Sequence, residues 1–421
     1  MRIVVTSSAY LGDVAPFVPV AERLAERGHA VTLLAPEGYR PLLEGHGERY
    51  TFRPSPLDFS APAMHADPRH ERLMRHPYRN AAQLGRYWMG LGWSNDPDRA
   101  EAGFRDAFAG ADVVVTHPTQ GSVTIPIAHA LGIPVAVGHL FPMMIPTTSW
   151  GPPAGKRFVR LGATGNRLAW RSLWTLSAPF FDDRSINRLR RRLGQPTIRN
   201  NAAQAFREAE ADVLLVSRRY FGDSPPDWPP HTWGGFSVWS PAGGVPPEVD
   251  EVVGDGSDPP VLVTLGTSAA SGAGAQFATI AADLDRRGLR SLLLVGDARN
   301  LEALPGRKGA FAFAPVVPLL PRCRVAVISG ALGGIAAALS AGIPIVVLPQ
   351  LFDQIWHGQR VQDLGVGRLV RRASDVGSAV ADLAGDAAVH ERCRALAEKL
   401  AGEDGAAVLA TAAESLGSAA P

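Results

Sequence analysis

Short apolar runs recur along the chain. Each is followed by a turn containing glycine or proline and then by apolar residues at helical spacing. Arg2-Ile3-Val4-Val5-Thr6 is the first of these runs. A run so short, with no polar alternation, predicts a parallel strand buried on both faces. After the loop Gly12-Asp13-Val14-Ala15-Pro16, residues Phe17, Val20, Ala21 and Leu24 share one face of a helix over 17–27, which Gly28 stops. Residues 30–34 form the next strand and complete a β-α-β unit. The pattern returns as a strand over 112–115, a helix over 124–131, a strand over 134–137 and a last strand over 213–216.

Two stretches of this half, 52–95 and 141–201, are less regular and rich in arginine and aromatics. From Asp223 to Pro260 the chain is crowded with Pro, Gly, Asp and Ser, as expected of a linker. Alternation restarts over 261–265, and strands follow over 291–295, 325–328 and 343–348. Residues 390–416 have a helical pattern, and 417–421 should be loose. The expected organisation is a Rossmann-like domain over 1–222, a linker over 223–260, a second Rossmann-like domain over 261–400, and a C-terminal helix end and tail over 401–421. The fold class is α/β, with two parallel sheets facing each other across a central cleft. No short internal repeat is present; the likeness between halves is architectural.

Composition narrows the classes. The chain has 42 basic and 40 acidic residues, and the net charge of +2 argues against a nucleic-acid surface. The block Arg190-Arg191-Arg192 lacks interleaved aromatics and is expected to be a solvated helix face. Cys323 and Cys393 build no disulfide framework and no CxxC is present. The N-terminus opens directly on a strand, and no apolar run is long enough to span a bilayer. A cytoplasmic protein without membrane insertion is the expectation, as a monomer or homodimer. No metal-ligand spacing, Walker loop or Gly-x-Gly-x-x-Gly turn is found, so no metal and no bound cofactor are expected.

The candidate chemistry lies at the ends of the predicted strands, where open α/β sheets bind ligands. Ser329-Gly330-Ala331-Leu332-Gly333-Gly334 opens a helix whose free N–H groups suit a diphosphate. Asp353 and Gln354 follow the next strand and can hold sugar hydroxyls, although Asp353 also suits a helix N-cap. Gly266, Thr267 and Ser268 follow a strand and suit a phosphate oxygen, or merely an ordinary turn. Together these residues suggest a nucleotide-sugar site. In the first half, His117 and His139 follow strands and could touch an acceptor, and Gly12, Tyr87, Trp88, Phe141 and Met144 could wall its pocket. Structural packing is the plainer role for each.

The order and spacing of these motifs resemble the GT-B glycosyltransferases of family 1, in the bacterial branch that decorates natural products. Gly12-Asp13-Val14-Ala15-Pro16 is similar to that branch's Gly-[His/Asp]-x-x-Pro loop, and Val263-Thr264-Leu265-Gly266-Thr267 to its phosphate turn. Phe313-Ala314-Pro315 with Leu319-Leu320-Pro321 resembles its nucleobase segment, and Ser329 through Gln354 its donor signature. The resemblance implies inverting transfer of a hexose or deoxyhexose from a UDP- or TDP-sugar to a small natural product. It makes Asp13 the general base, the alternative being a loop Asp that caps the following helix. Phe313 and Ala314 would sit beside the nucleobase, unless Phe313 is simply core. Ser329 stands where the family usually has a diphosphate-binding His, Val316 where it has Gln, and Ala331 and Leu332 where it has smaller residues. Three other readings therefore stay open. One is a GT-B homologue that no longer transfers sugar and acts as a binding partner. Another is an enzyme with an unusual donor or coupling reaction. The third is a nucleotide-sugar epimerase.

Overall fold

The computed structural model describes the chain except residues 8–9, 45–48, 58–59, 75, 77–78, 81–82, 85, 88–95, 155–156, 159, 178–182, 199–207, 267–271, 352 and 420–421. Thr267, Ser268 and Trp88, all expected at the site, lie outside the described residues.

Strands β1 (Arg2–Thr6), β2 (Ala30–Ala35), β3 (Thr51–Pro54), β4 (Val113–Thr116) and β5 (Val135–His139) build the first sheet. A two-residue hairpin, β6 (Pro153–Ala154) and β7 (Arg157–Phe158), stands apart, and β8 (Ala211–Leu214) and β9 (Thr232–Trp233) complete the sheet. Its order is β3-β2-β1-β4-β5-β8-β9, every pair parallel. The second sheet takes β10 (Val261–Thr264), β11 (Ser291–Leu294), β12 (Ala310–Phe311), β13 (Val325–Ile328), β14 (Ile345–Val347) and β15 (Gly367–Leu369) in the order β12-β11-β10-β13-β14-β15, again all parallel. All four residues of β4, and all four of β13, are buried, as continuous apolar runs require when helices cover both faces.

The strand order reverses direction at β1/β4 in the first sheet and at β10/β13 in the second. Loops leaving a parallel sheet at such a point diverge to opposite faces and leave a crevice. In the first sheet the loop after β1 leads into α1 (Leu11–Val14), a 3-10 turn Ala15–Phe17 and α2 (Val18–Glu26), and the loop after β4 leads into α3 (Pro118–Ala130). α3 begins six residues before the expected helix, because His117 accepts the Thr119 N–H as N-cap and Pro118 takes the first helical position. Then come α4 (Arg218–Phe221), α5 (Gly274–Arg286), α6 (Leu332–Ser340) after β13, and α7 (Gln354–Asp363) after β14.

The expected single helix over 390–416 is two, α8 (Ala387–Leu400) and α9 (Gly405–Ala419), and α9 extends into the expected loose tail. Asp404 caps the break by accepting the Ala407 N–H at 2.9 Å. Gly405 is pressed against the 235–236 backbone so closely that a Cβ there would lie 2.3 Å from the Gly235 carbonyl. Only glycine fits that crossing. α9 thereby returns to the first sheet, where Leu409, Ala410 and Ala413 are fully buried. A polar clasp of Arg23–Asp404, Arg27–Glu414 and His29–Glu414 joins it to the first half.

Candidate functional site

A cavity of about 330 Å³ lies between the two sheets at the C-terminal ends of their strands. Gly12, Asp13, Phe141 and the 237–241 segment line it from one side; Gly266, Phe313, Ala314, Ser329, Gly333, Gly334, Asp353 and Gln354 line it from the other. An adjoining groove of about 580 Å³ shares Leu11 and Phe313 and is bordered by Tyr39, Leu42, His65, Asp297 and Arg299.

Asp13 sits in α1, directly after the loop that leaves β1. One carboxylate oxygen accepts the Tyr10 N–H at 3.3 Å, and the Asp13 carbonyl accepts from Ser7 Oγ at 2.7 Å. This contact reaches back to the residue before α1 and is not a cap on the following helix, and it does not remove the side chain from the cavity. Burial pushes the Asp13 carboxyl up to about 7, against the opposing pull of the Tyr10 N–H, and the facing Asp353 adds to the rise. His117 lies behind it, fully buried, with Nε2 4.0 Å from Asp13 Oδ1 and Nδ1 2.6 Å from Thr119 Oγ1. Burial, with a smaller contribution from His139, holds the His117 ring near 3, so it is neutral at physiological pH.

His139 does not line the cavity. It is 1% exposed at the end of β5, and its Nε2 lies 2.5 Å from Asp212 on β8. The plainer structural reading holds for it, because Asp212 is the adjacent carboxylate across the parallel pair. Met144 packs half-buried against the apolar core, and Tyr87 lies against His70 and beneath Arg69; neither borders the cavity.

The second half presents mainly backbone. Gly266 and Gly330 both have positive φ, +75° and +93°. A Cβ on Gly330 would lie 2.7 Å from Val347 Cγ1 and 3.0 Å from the Gln354 carbonyl. The first intrahelical bond of α6 runs from the Ile335 N–H to the Ala331 carbonyl. The N–H groups of Leu332, Gly333 and Gly334 therefore lack intrahelical acceptors. A Cβ on Gly333 would meet nothing within 4 Å, so the space over this helix end is open. Ser329 is 2% exposed and lies against Gly266. Phe313 is 45% exposed, which excludes the core role for it, whereas Ala314 is buried.

Asp353 and Gln354, expected as a pair of sugar ligands, divide. Gln354 is 3% exposed, and its Oε1 accepts the N–H groups of Gln350 at 2.7 Å and Leu351 at 2.9 Å. That carbonyl closes its own loop, and only the amide N–H₂ remains for a ligand. Asp353 takes the N-cap position of α7, as its alternative reading expects, but its side chain makes no cap hydrogen bond, and burial pushes its carboxyl up to about 6. Residues 237–241, including Trp239, were missed as cavity lining. An apolar Phe-Ser-Val-Trp run inside a Pro/Gly-rich segment was the available signal.

Comparison with known proteins bears on this arrangement. Residues 291–416 match the family described as erythromycin biosynthesis protein CIII-like, C-terminal domain. The chain is 29% identical over 426 residues to O-mycaminosyltylonolide 6-deoxyallosyltransferase of Streptomyces fradiae, covering 96% of this chain and 95% of that protein. It is 27% identical to 4'-demethylrebeccamycin synthase of Lentzea aerocolonigenes, covering 87% and 86%. Among solved structures, the calicheamicin glycosyltransferase CalG4 superposes with a TM-score of 0.68 at 18% identity, over 100% of this chain and 99% of that one. The Streptomyces sp. SF2575 glycosyltransferase SsfS6, complexed with thymidine diphosphate, gives 0.64 at 20% identity, over 98% and 99%. The chain is a glycosyltransferase of the GT-B fold. In this glycosyltransferase no described helix is long and apolar enough to cross a membrane. Among the described residues no group of three or more His, Cys, Asp or Glu side chains is placed to hold a metal ion.

Proposed function

We propose that this glycosyltransferase moves a hexose or deoxyhexose from a UDP- or TDP-sugar to a hydroxyl of a small, largely apolar natural product, with inversion. The observation that carries the reading is that a half-buried carboxylate, Asp13, and an uncapped helix N-terminus at Leu332–Gly334 face one cavity from opposite sides. Asp13 removes the acceptor proton as the oxygen attacks the anomeric carbon, and a base near neutrality is matched to that task. The new carbon–oxygen bond forms on the face opposite the bond that breaks. The nucleoside diphosphate leaves with the electron pair of the broken bond. The N–H groups of α6 take its growing charge. Phe313 stacks on the nucleobase and Asp353 holds sugar hydroxyls.

The acceptor side belongs to residues 1–222 and the donor side to 261–400, joined by 223–260, with 401–421 returning to the first half. Thymidine diphosphate in the neighbour SsfS6 and the 6-deoxyallosyl group in the name of the Streptomyces fradiae relative support a nucleotide sugar of this type. The donor is a co-substrate, with no further cofactor, in a cytoplasmic monomer or homodimer.

A thermal-shift titration with TDP, UDP and NAD tests the donor site. A ligand of the native state adds ~2.7 kcal/mol of stability at a hundredfold excess over its Kd. A shift with TDP or UDP but not NAD is expected. A well-folded sample that shifts with neither diphosphate rules out the donor site and leaves the non-catalytic reading.

A further inference from the structure

α7 faces two ways. Its first turn meets the cavity through Asp353 and Gln354, and its buried face meets the first half of the chain at α4. Trp356 stacks on Phe221 with ring centroids 4.7 Å apart and planes 25° apart. His357 stacks on Tyr220 at 5.9 Å and 14°, and Arg360 Nε donates to the Tyr220 carbonyl. Tyr220 and His357 are both fully buried.

Their polar atoms form a line toward the cavity. The Tyr220 hydroxyl lies 2.8 Å from His357 Nδ1. On the other side of the ring, His357 Nε2 lies 3.8 Å from Asp353 Oδ2 and makes no hydrogen bond in the described structure. A buried ring nitrogen without a hydrogen bond is costly, so the carboxylate beside it matters. Burial holds the ring near 3, so it carries a single proton at neutral pH. That proton has two seats. On Nδ1, it would leave a bare Nε2 lone pair facing the Asp353 carboxylate. With the phenol donating to Nδ1, the proton sits on Nε2 and faces Asp353 Oδ2. An ionised Asp353 selects the second arrangement. Such contacts commonly run long until a ligand seats.

We infer that Tyr220 and His357 are positioning residues for the donor sugar: Tyr220 fixes the His357 tautomer whose Nε2–H orients the Asp353 carboxylate from the opposite half of the chain. The inference rests on the proposed role of Asp353 toward the sugar. It separates the two parts of the donor, since the diphosphate lies on α6 and only the sugar depends on this line.

Calorimetric titration of the full chain with a nucleoside diphosphate, and separately with the matching nucleotide sugar, tests it in wild type, Y220F, H357Q, D353N and the doubles Y220F/D353N and Y220F/H357Q. Y220F keeps the ring and its stacking. It is expected to weaken nucleotide-sugar binding by up to about tenfold, the reach of one hydrogen bond, while leaving the diphosphate within about twofold. H357Q keeps an N–H donor where Nε2 stood and has no tautomer to fix, so Y220F should have no further effect in that background. Y220F should likewise add nothing to D353N. Equal weakening of both ligands by Y220F, with a lowered Tm, would mean a merely structural contact and overturn the inference. So would a Y220F variant that binds both as wild type does while D353N loses the sugar increment. If D353N itself leaves that increment intact, the donor role proposed for Asp353 fails, and the inference fails with it.

Discussion

The loops after β1 and after β13 each leave a point where a sheet reverses strand order, from opposite sides of that point. They carry opposite electrostatics. The first presents a carboxylate that burial has pushed up to about 7. The second presents backbone N–H groups of an uncapped helix beside a neutral serine. Crevices at such reversals thus present a desolvated carboxylate from one sheet and N–H groups without intrahelical acceptors from the other. The side-chain site depends on burial contributed by both halves of the chain. The backbone site depends on little beyond the local turn.

The largest expected effect breaks the base. D13N should lower kcat by ~10²–10⁴-fold, the usual scale of general-base assistance, while nucleoside diphosphate affinity stays unchanged. In the wild type, kcat/KM should rise with pH through an apparent pKa near 7, set by burial of Asp13, and D13N should lose that limb. Stability gives an independent check. A carboxyl whose folded pKa is raised favours its protonated form in the fold, so its stability cost is absent below about pH 4 and grows as pH rises toward 7. D13N should therefore melt above wild type at pH 8 and together with it near pH 4. Coincident melting at pH 8 would mean that Asp13 is solvated.

On the other side of the comparison, G330A should cost ~1–3 kcal/mol, the scale for a strained backbone conformation. Its φ of +93° and the 2.7 Å approach of a Cβ to Val347 both resist a side chain. A lowered Tm with weakened diphosphate binding is expected. A variant as stable as wild type would show that the turn relaxes freely.

The same contrast explains what the sequence revealed. Parallel strands such as 2–6, 113–116 and 325–328 were legible because residues buried on both faces must be apolar without interruption. Gly266 and Gly330 were legible as turn residues because a positive φ restricts residue type. His139 was not, because its pairing with Asp212 joins positions 73 residues apart, and nothing local marks a histidine as satisfied. Gln354 misled for a similar reason: an amide that closes its own loop has the same local sequence as one that holds a ligand. Tyr220 and His357 were invisible, since their contact appears only when the two halves meet.

Phe313 sharpens the donor side further. An aromatic ring left 45% exposed at the cavity mouth has surface to offer a base, and F313A should weaken nucleoside diphosphate binding by ~1–3 kcal/mol, the range for base stacking. The loss should be similar for the diphosphate and its sugar conjugate, because the ring is proposed to touch neither phosphate nor sugar. A loss confined to the acceptor would instead assign Phe313 to the adjoining groove, which it also borders.

The smallest effect is a gain. Ser329 offers one neutral hydroxyl at the mouth of the α6 turn, where a charged donor would be roughly twice as strong toward a phosphate. S329H should tighten diphosphate binding by ~1–2 kcal/mol, provided the imidazole is protonated by its ligand. The gain should shrink as pH rises above the histidine's range and the ring loses its charge. A pH-independent gain would point to a neutral hydrogen bond instead. No gain at any pH, with binding still dependent on Gly330, would mean that the N–H groups of Leu332, Gly333 and Gly334 hold the diphosphate unaided, and that a serine suffices at this turn because the backbone alone meets the charge.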